Sequence, residues 1–467
     1  MPEQILFLTG KLAEPQLQKV LQSMQPAPFT YRVHEVGLSV AALMTTDMVR
    51  RRLSDALGAD RVVLPGRCRG DLGELAAHLG VPVDRGPDEL KDLPQFFGRK
   101  GAPPDFSRYD IRIFAEIVDA PNLSIDAIHE RARRYRESGA DVIDIGCLPG
   151  TPFAHLEDTI ASLRAEGYQV SIDSLEPEEL RRGIRGGAHY LLSLKEDTLD
   201  LAEETDAIPV LIPAAADDLE SLERALSALE RKGRPYLVDP VLDPIHFGFV
   251  ESLMRYREVR RRHPDVEIFM GTGNLTELTD ADTGGITAVL LGIASELGIR
   301  HILTTEVSPH ARAAVREADA ARRLMYAARA DNSLPRDQHP GLLQLHERRP
   351  FPYTADEIRE WAAAIRDPSF RVQVSADGIH AYNRDGLHTA VDPFALFPHL
   401  HVEADAAHAF YLGVELARAQ IAWQLGKRYT QDEELGWGCA VPPKAEDRSR
   451  YAPPGATLKA RSGPEST

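Results

Sequence analysis

Acidic residues recur at one kind of place in this sequence, the C-terminal end of a short apolar run. Glu116 and Asp119 close RIFAEIVD, Asp144 lies in ADVIDIG and Asp173 in YQVSIDS. Asp239 lies in PYLVDPV with Asp243 just beyond, and Glu306 follows RHILTT. If these runs are buried strands, each carboxylate is costly unless a partner or a ligand satisfies it. One could be held by a loop N–H group or an arginine, but acids on so many strands at once point to a shared cavity. Such a ring of acceptors suits a metal ion or a ligand with several N–H donors. A carboxylate accepts two parallel hydrogen bonds from an N–H/NH₂ edge of the kind an aminopyrimidine presents. Ser193 and Lys195 belong to the same set of strand ends. So does the GTGN loop with Thr272, Gly273 and Asn274, followed by the pair Gly284-Gly285, whose backbone N–H groups suit a phosphate.

The elements that must position these residues are read from periodicity. Between 111 and 330, apolar runs alternate with amphipathic stretches, beginning with RIFAEIVD and a helix capped by Ser124 that runs to Glu137. ADVIDIG, YQVSIDS, HYLLSLK, IPVLIP, PYLVDPV, EIFMGTG and RHILTTEV follow, each with its own helix, including one over DTLDLAEET. Near-continuous apolar strands indicate a sheet buried on both faces. Eight β-α units of this size predict a (β/α)₈ TIM barrel, whose site lies at the C-terminal strand ends. The fold class is therefore α/β, a central barrel with smaller modules on either side. Residues 1–97 read as a small α/β domain with a parallel sheet. Residues 98–110 read as a linker and 331–441 as an α+β module, with Thr354 capping a helix and a hairpin around Ala376-Asp377-Gly378. The Pro- and charge-rich residues 442–467 read as a disordered tail.

Composition narrows the function classes. A 467-residue chain with 43% hydrophobic residues can build two or three cores. Its formal net charge of −17 argues against nucleic acid as a partner. Cys68, Cys147 and Cys439 are far apart, which argues against a disulfide framework, a zinc ribbon or an iron–sulfur cluster. No signal peptide or membrane-spanning run is evident, so a cytoplasmic location is expected. Cys147 and the basic run RYREVRRR read as packing and a solvated face. Gly10-Lys11 lacks P-loop spacing. His399, His401 and His408 with Glu403 read as an ordinary strand and helix rather than a zinc site.

ESGADVIDIG, VSIDSLEPEEL with GGAHYLLS, and YLVDP together resemble dihydropteroate synthase and its wider pterin-binding family, which includes methyltetrahydrofolate-dependent methyltransferases. The resemblance covers the barrel. With its flanking modules and its EIVDAP strand, the whole chain looks most like the synthase-related proteins of tetrahydromethanopterin synthesis. It implies a pterin pocket shaped by Asp144, Asp173 and Asp239, with Ser193, Asp243 and Glu306 beside it. It also implies a phosphate site at Thr272, Gly273, Asn274, Gly284 and Gly285, and Mg²⁺ at Asp119. The implied activity joins a dihydropterin methyl diphosphate to an arylamine, with diphosphate leaving and an arylamine phosphate as the expected acceptor, and with Asp173, Asp239 and Asp119 as the catalytic set. A pterin-dependent methyltransferase and a non-catalytic pterin-binding scaffold are the alternatives, and a homodimer is expected. The sequence departs from the synthase pattern at several positions. Ser193 replaces an Asn, Gly273-Asn274-Leu275 replaces Ser-Arg-Lys, and Leu303, Thr305 and Glu306 stand where Arg-x-His is usual.

Overall fold

The computed structural model describes residues 2–98, 105–336 and 338–442. Residues 99–104 of the linker and the tail beyond Pro442 lie outside the described residues. Strands β1 (Glu3–Thr9), β2 (Phe29–Glu35), β3 (Arg61–Leu64) and β4 (Val83–Arg85) open the chain. Next come β5 (Arg112–Ile117), β6 (Val142–Gly146), β7 (Gln169–Asp173), β8 (Tyr190–Leu194), β9 (Ile208–Leu211), β10 (Leu237–Val238), β11 (Phe269–Gly271) and β12 (His301–Thr305). β13 (Arg371–Ser375), β14 (Gly378–Asn383) and β15 (Gly386–Ala390) follow.

The chain divides into two compact units. One contains β1–β4 together with Leu345–Gly436, so the first and last segments, read separately above, share one body. Its parallel sheet has the order β2-β1-β3-β4. β1 is buried on both faces: Ile5 and Phe7 join a cluster with Leu21, Phe29 and Phe97, while Leu6 and Leu8 join another with Val62 and Leu64. β13–β15 form an antiparallel sheet against the helix Ala406–Leu425. The β13–β14 turn falls at Ala376-Asp377, and Thr354 closes a capping box with Glu357, as the sequence predicts. The strand β15 is an addition to that expectation. Ion pairs and hydrogen bonds between Lys91 and Glu357, Tyr353 and Glu89, and Arg428 and Asp92 join residues far apart in the chain.

The other unit is the barrel, Asp105–Gln344 with Trp437–Pro442. Its eight parallel strands have the order β10-β9-β8-β7-β6-β5-β12-β11. A parallel bridge between Val238 and Ile268, with the Val238 N–H donating to the Glu267 carbonyl at 3.0 Å, joins the two ends. Alternation along each strand sets the two faces. Ile113, Ala115, Ile143, Ile145, Val170 and Ile172 face outward into the helix layer. Phe114, Val142, Tyr190, Leu192, Val210, Leu237 and Phe269 fill the interior. Ser124 caps the first helix, Ile125–Glu137, as expected. DTLDLAEET forms only a 3₁₀ turn, Leu199–Glu203.

Candidate functional site

Strand register brings the acids together. Glu116 lies opposite Asp144, and Gly146 opposite Asp173, on adjacent parallel strands. With a period of two, Glu116, Asp144 and Asp173 point into the barrel above its apolar filling. One carboxylate oxygen from each lies within 4.8 Å of the others. A Cβ on Gly146 would come 2.6 Å from Glu116 Oε1, so glycine at this position leaves room for that carboxyl group. Asp144 is 0% exposed, and neither of its oxygens has a hydrogen-bond partner among the described residues.

The electrostatics follow from this crowding. Burial, then Asp173 and Glu277, push Glu116 up to about 8. Burial and Asp239 push Asp173 up to about 7. Asp144 lies well above the carboxylate range through burial, Asp173 and Glu116. The neighbouring Ser171 hydroxyl, short of hydrogen-bond geometry, offsets little of this. Like charges confined at short range cannot all ionise without a compensating ligand. The cluster therefore holds protons, or meets N–H donors or a cation. Its all-oxygen donor set fits a hard divalent ion such as Mg²⁺.

Asp239 adjoins the cluster on better terms. Burial raises it to about 6, against the pull of Tyr256, the Val241 N–H and Arg255. The Tyr256 hydroxyl donates to its Oδ1 at 2.5 Å and the Val241 N–H at 2.8 Å. Asp243 is held by Arg255 at 2.6 Å, and the same guanidinium donates to the Pro240 and Val241 carbonyls, which fixes the Asp-Pro loop. Asn274 Nδ2 donates to the Leu242 carbonyl at 2.6 Å, tying the loop after β11 to this one. Ser193 stands at the β8 end, where the β8–β9 register shifts.

Next to Glu116, on β12 and the loop after β11, the mouth holds an acid with partners of its own. Glu277, which the sequence reading did not single out, accepts from Thr305 Oγ1 and the Val307 N–H, both at 2.9 Å, and from the Ser308 N–H at 2.8 Å. Burial would raise Glu277, but these donors outweigh it and hold it below the usual range. A protein carboxylate thus occupies N–H groups on the loop after β12. Thr272 Oγ1 donates to the Leu303 carbonyl at 2.8 Å. Gly273 opens a single helical turn beside Thr305, and Gly284 lies against Gln344. A Cβ on Gly285 would meet nothing. Glu306 is almost fully buried, accepts the Val315 N–H at 3.2 Å, faces Arg134 at 3.6 Å, and is raised by burial to about 7.

Asp119 is half exposed and its carboxylate is bound by Arg131. Among the described residues, Glu116, Asp144 and Asp173 form the sole group of three or more potential ligand residues close enough to share an ion. His399, His401 and His408 form no such group, although His399 stacks on His388 at 4.3 Å. Cys147 borders the acids, and its thiol is pushed up by burial and by Glu179. No helix among the described residues is long and apolar enough to cross a membrane.

Residues 3–88 match a family model described as a family of unknown function, DUF6513. An uncharacterized protein of Methanocaldococcus jannaschii is 27% identical, the match covering 92% of this chain and 98% of that one. Similar solved structures include dihydropteroate synthases. That of Yersinia pestis with a pterine-sulfa conjugate is 18% identical, with 49% of this chain and 95% of that one covered at a TM-score of 0.38. That of Xanthomonas albilineans with 7,8-dihydropteroate is 21% identical, with 50% and 96% covered at 0.37.

Proposed function

We propose that the barrel mouth is a pterin site and that the protein is a dihydropteroate synthase-like transferase, joining a dihydropterin methyl diphosphate to an arylamine in tetrahydromethanopterin- or folate-type cofactor synthesis. The observation that carries the pterin reading is Asp144, buried and unpartnered beside Glu116 and Asp173. An aminopyrimidine edge supplies the N–H donors that such acceptors lack. Asp173, at the end of β7, and Asp239, just beyond β10, would orient the ring and support positive charge developing on its methylene carbon as the arylamine attacks and diphosphate leaves. Magnesium belongs to the same reading. Glu116, Asp144 and Asp173 are the donors that suit it, since Arg131 engages Asp119. There the ion and the ring would compete for the same oxygens.

Glu277 favours a second reading. Its carboxylate already holds the Val307 and Ser308 N–H groups that could otherwise receive a diphosphate. That arrangement suits a protein that binds a pterin without expelling diphosphate, either a methyltransferase or a pterin-binding scaffold.

Calorimetric titration with 6-hydroxymethyl-7,8-dihydropterin and with its diphosphate tests both readings. Saturable binding of the alcohol supports the pterin site, and its absence with both compounds sinks it. Release of diphosphate on adding p-aminobenzoate or an aminobenzene ribosyl phosphate establishes the transferase. Equal affinity for the two pterins with no product establishes the second reading.

A further inference from the structure

We propose that the unit built from β1–β4 and Leu345–Gly436 carries its own binding site, for a planar amino-bearing heteroaromatic molecule that lacks a phosphate group. A cavity of about 800 Å³ lies within this unit, of the size that takes a whole organic ligand. Its floor is formed by the C-terminal ends of the parallel strands: Leu8 and Thr9 at the end of β1, Leu64 to Arg67 at and past the end of β3, and Gly86 to Glu89 after β4. The order β2-β1-β3-β4 reverses direction between β1 and β3, and ligands of open α/β sheets bind at such a reversal. Walls come from Leu12 to Leu17, from Val40 to Ala42, and from Tyr353, Trp361, β13 and the segment around Tyr429.

The lining specifies the chemistry. A phosphate is poorly served. At the start of the helix Glu14–Ser23, the Ala13 and Glu14 N–H groups both donate to the Gly10 carbonyl, and Pro15 has none. Glu14 itself adds negative charge to that turn. The two arginines that reach the cavity already face carboxylates, Arg67 with Glu433 and Arg371 with Asp367. The polar anchor is an acceptor instead. Glu89 lines the cavity and accepts the Tyr353 hydroxyl on Oε2, while no described residue donates to Oε1. Burial, against the pull of Tyr353, Arg67 and Arg428, is the main reason its carboxyl lies above the ordinary range, and an N–H donor entering the cavity finds Oε1 open to it. Tyr353 and Trp361 stand edge to face at 4.6 Å and offer aromatic surface to a flat ring. A neutral or cationic ring with amino groups matches this set, and an anion does not.

The test reads Trp361 in the full chain carrying Trp423→Phe and Trp437→Phe, which leaves it the sole tryptophan. Guanosine and neopterin should quench its fluorescence saturably, and guanosine 5′-monophosphate should bind at least about tenfold more weakly. Val40→Phe, at a half-exposed position on the cavity wall, should abolish the quenching, and Glu89→Gln should weaken it about tenfold. Asp144→Asn in the barrel should leave it unchanged, which separates this site from the proposed pterin pocket. The proposal is overturned if neither neutral probe quenches up to about 1 mM, a floor of roughly 4 kcal/mol of binding. It is equally overturned if the monophosphate binds as tightly as guanosine, if Val40→Phe binds normally, or if Asp144→Asn abolishes the signal.

Discussion

The two sides of the barrel mouth carry the same residue type in opposite states. On the β5–β7 side, Glu116, Asp144 and Asp173 are buried with mutual repulsion and, for Asp144, no partner. On the β11–β12 side, Glu277 is anchored by two backbone N–H groups and a hydroxyl, and lies below its ordinary range. Satisfied carboxylates stabilise a fold, and unsatisfied ones destabilise it until a ligand arrives. On the proposed function, the difference separates acids that await a ligand from one that holds a loop, although the sequence shows acids at both.

Substitutions should separate the two sides. The largest effect is expected from Asp173→Asn, which should weaken dihydropterin binding about a hundredfold, or ~2.7 kcal/mol, by calorimetry. Asp144→Asn should weaken binding similarly while raising the melting temperature, because it relieves repulsion. A lower melting temperature would mean that these acids are structural. Glu277→Ala should do the reverse, lowering unfolding stability by about 2 kcal/mol while leaving pterin affinity nearly unchanged, since it strands the Val307 and Ser308 N–H groups.

Glu306 gives a test by pH. Its folded-state value, about 7, lies above the ordinary 4.5. Between these values the unfolded chain releases its proton while the folded chain keeps it, so stability falls as pH rises through that window. Glu306→Gln should remove this decline, melting several degrees above the parent at pH 8 and alongside it at pH 4. Identical pH profiles for the two proteins would refute the assignment. Asp119→Asn should have the smallest effect, within about 0.5 kcal/mol of stability, because its pair with Arg131 is half exposed. A large loss of Mg²⁺ binding in that variant, measured by equilibrium dialysis, would return the metal to the loop after β5.

The barrel was legible because local pattern suffices for it. Strands buried on both faces write apolar runs, and amphipathic helices separate them. Asp144, Asp173 and Asp239 were legible because each interrupts such a run at its end. Glu277 was not, because the groups that define it, Val307 and Ser308, lie thirty residues downstream in a loop without a pattern of its own. The turn at Leu199–Glu203 was read as a helix because Leu199, Leu201 and Ala202 mimic helical spacing over too short a span. The joining of β1–β4 to the C-terminal segment left no local trace. It depends on single pairs such as Lys91 with Glu357, whose partners are innocuous surface types in isolation.

That joining bears on biosynthesis. As the chain leaves the ribosome, β1–β4 emerges first but lacks Tyr353, Trp361 and β13 until the whole barrel has been made. Glu89 and the apolar strand ends beside it stay uncovered through that interval, and exposed sheet of this kind invites aggregation or chaperone capture. A stalled or truncated chain ending after Gln344 would hold every barrel strand and an unfinished first unit, so slow translation before Leu345 should reduce yield of the protein more than slow translation after Gly436.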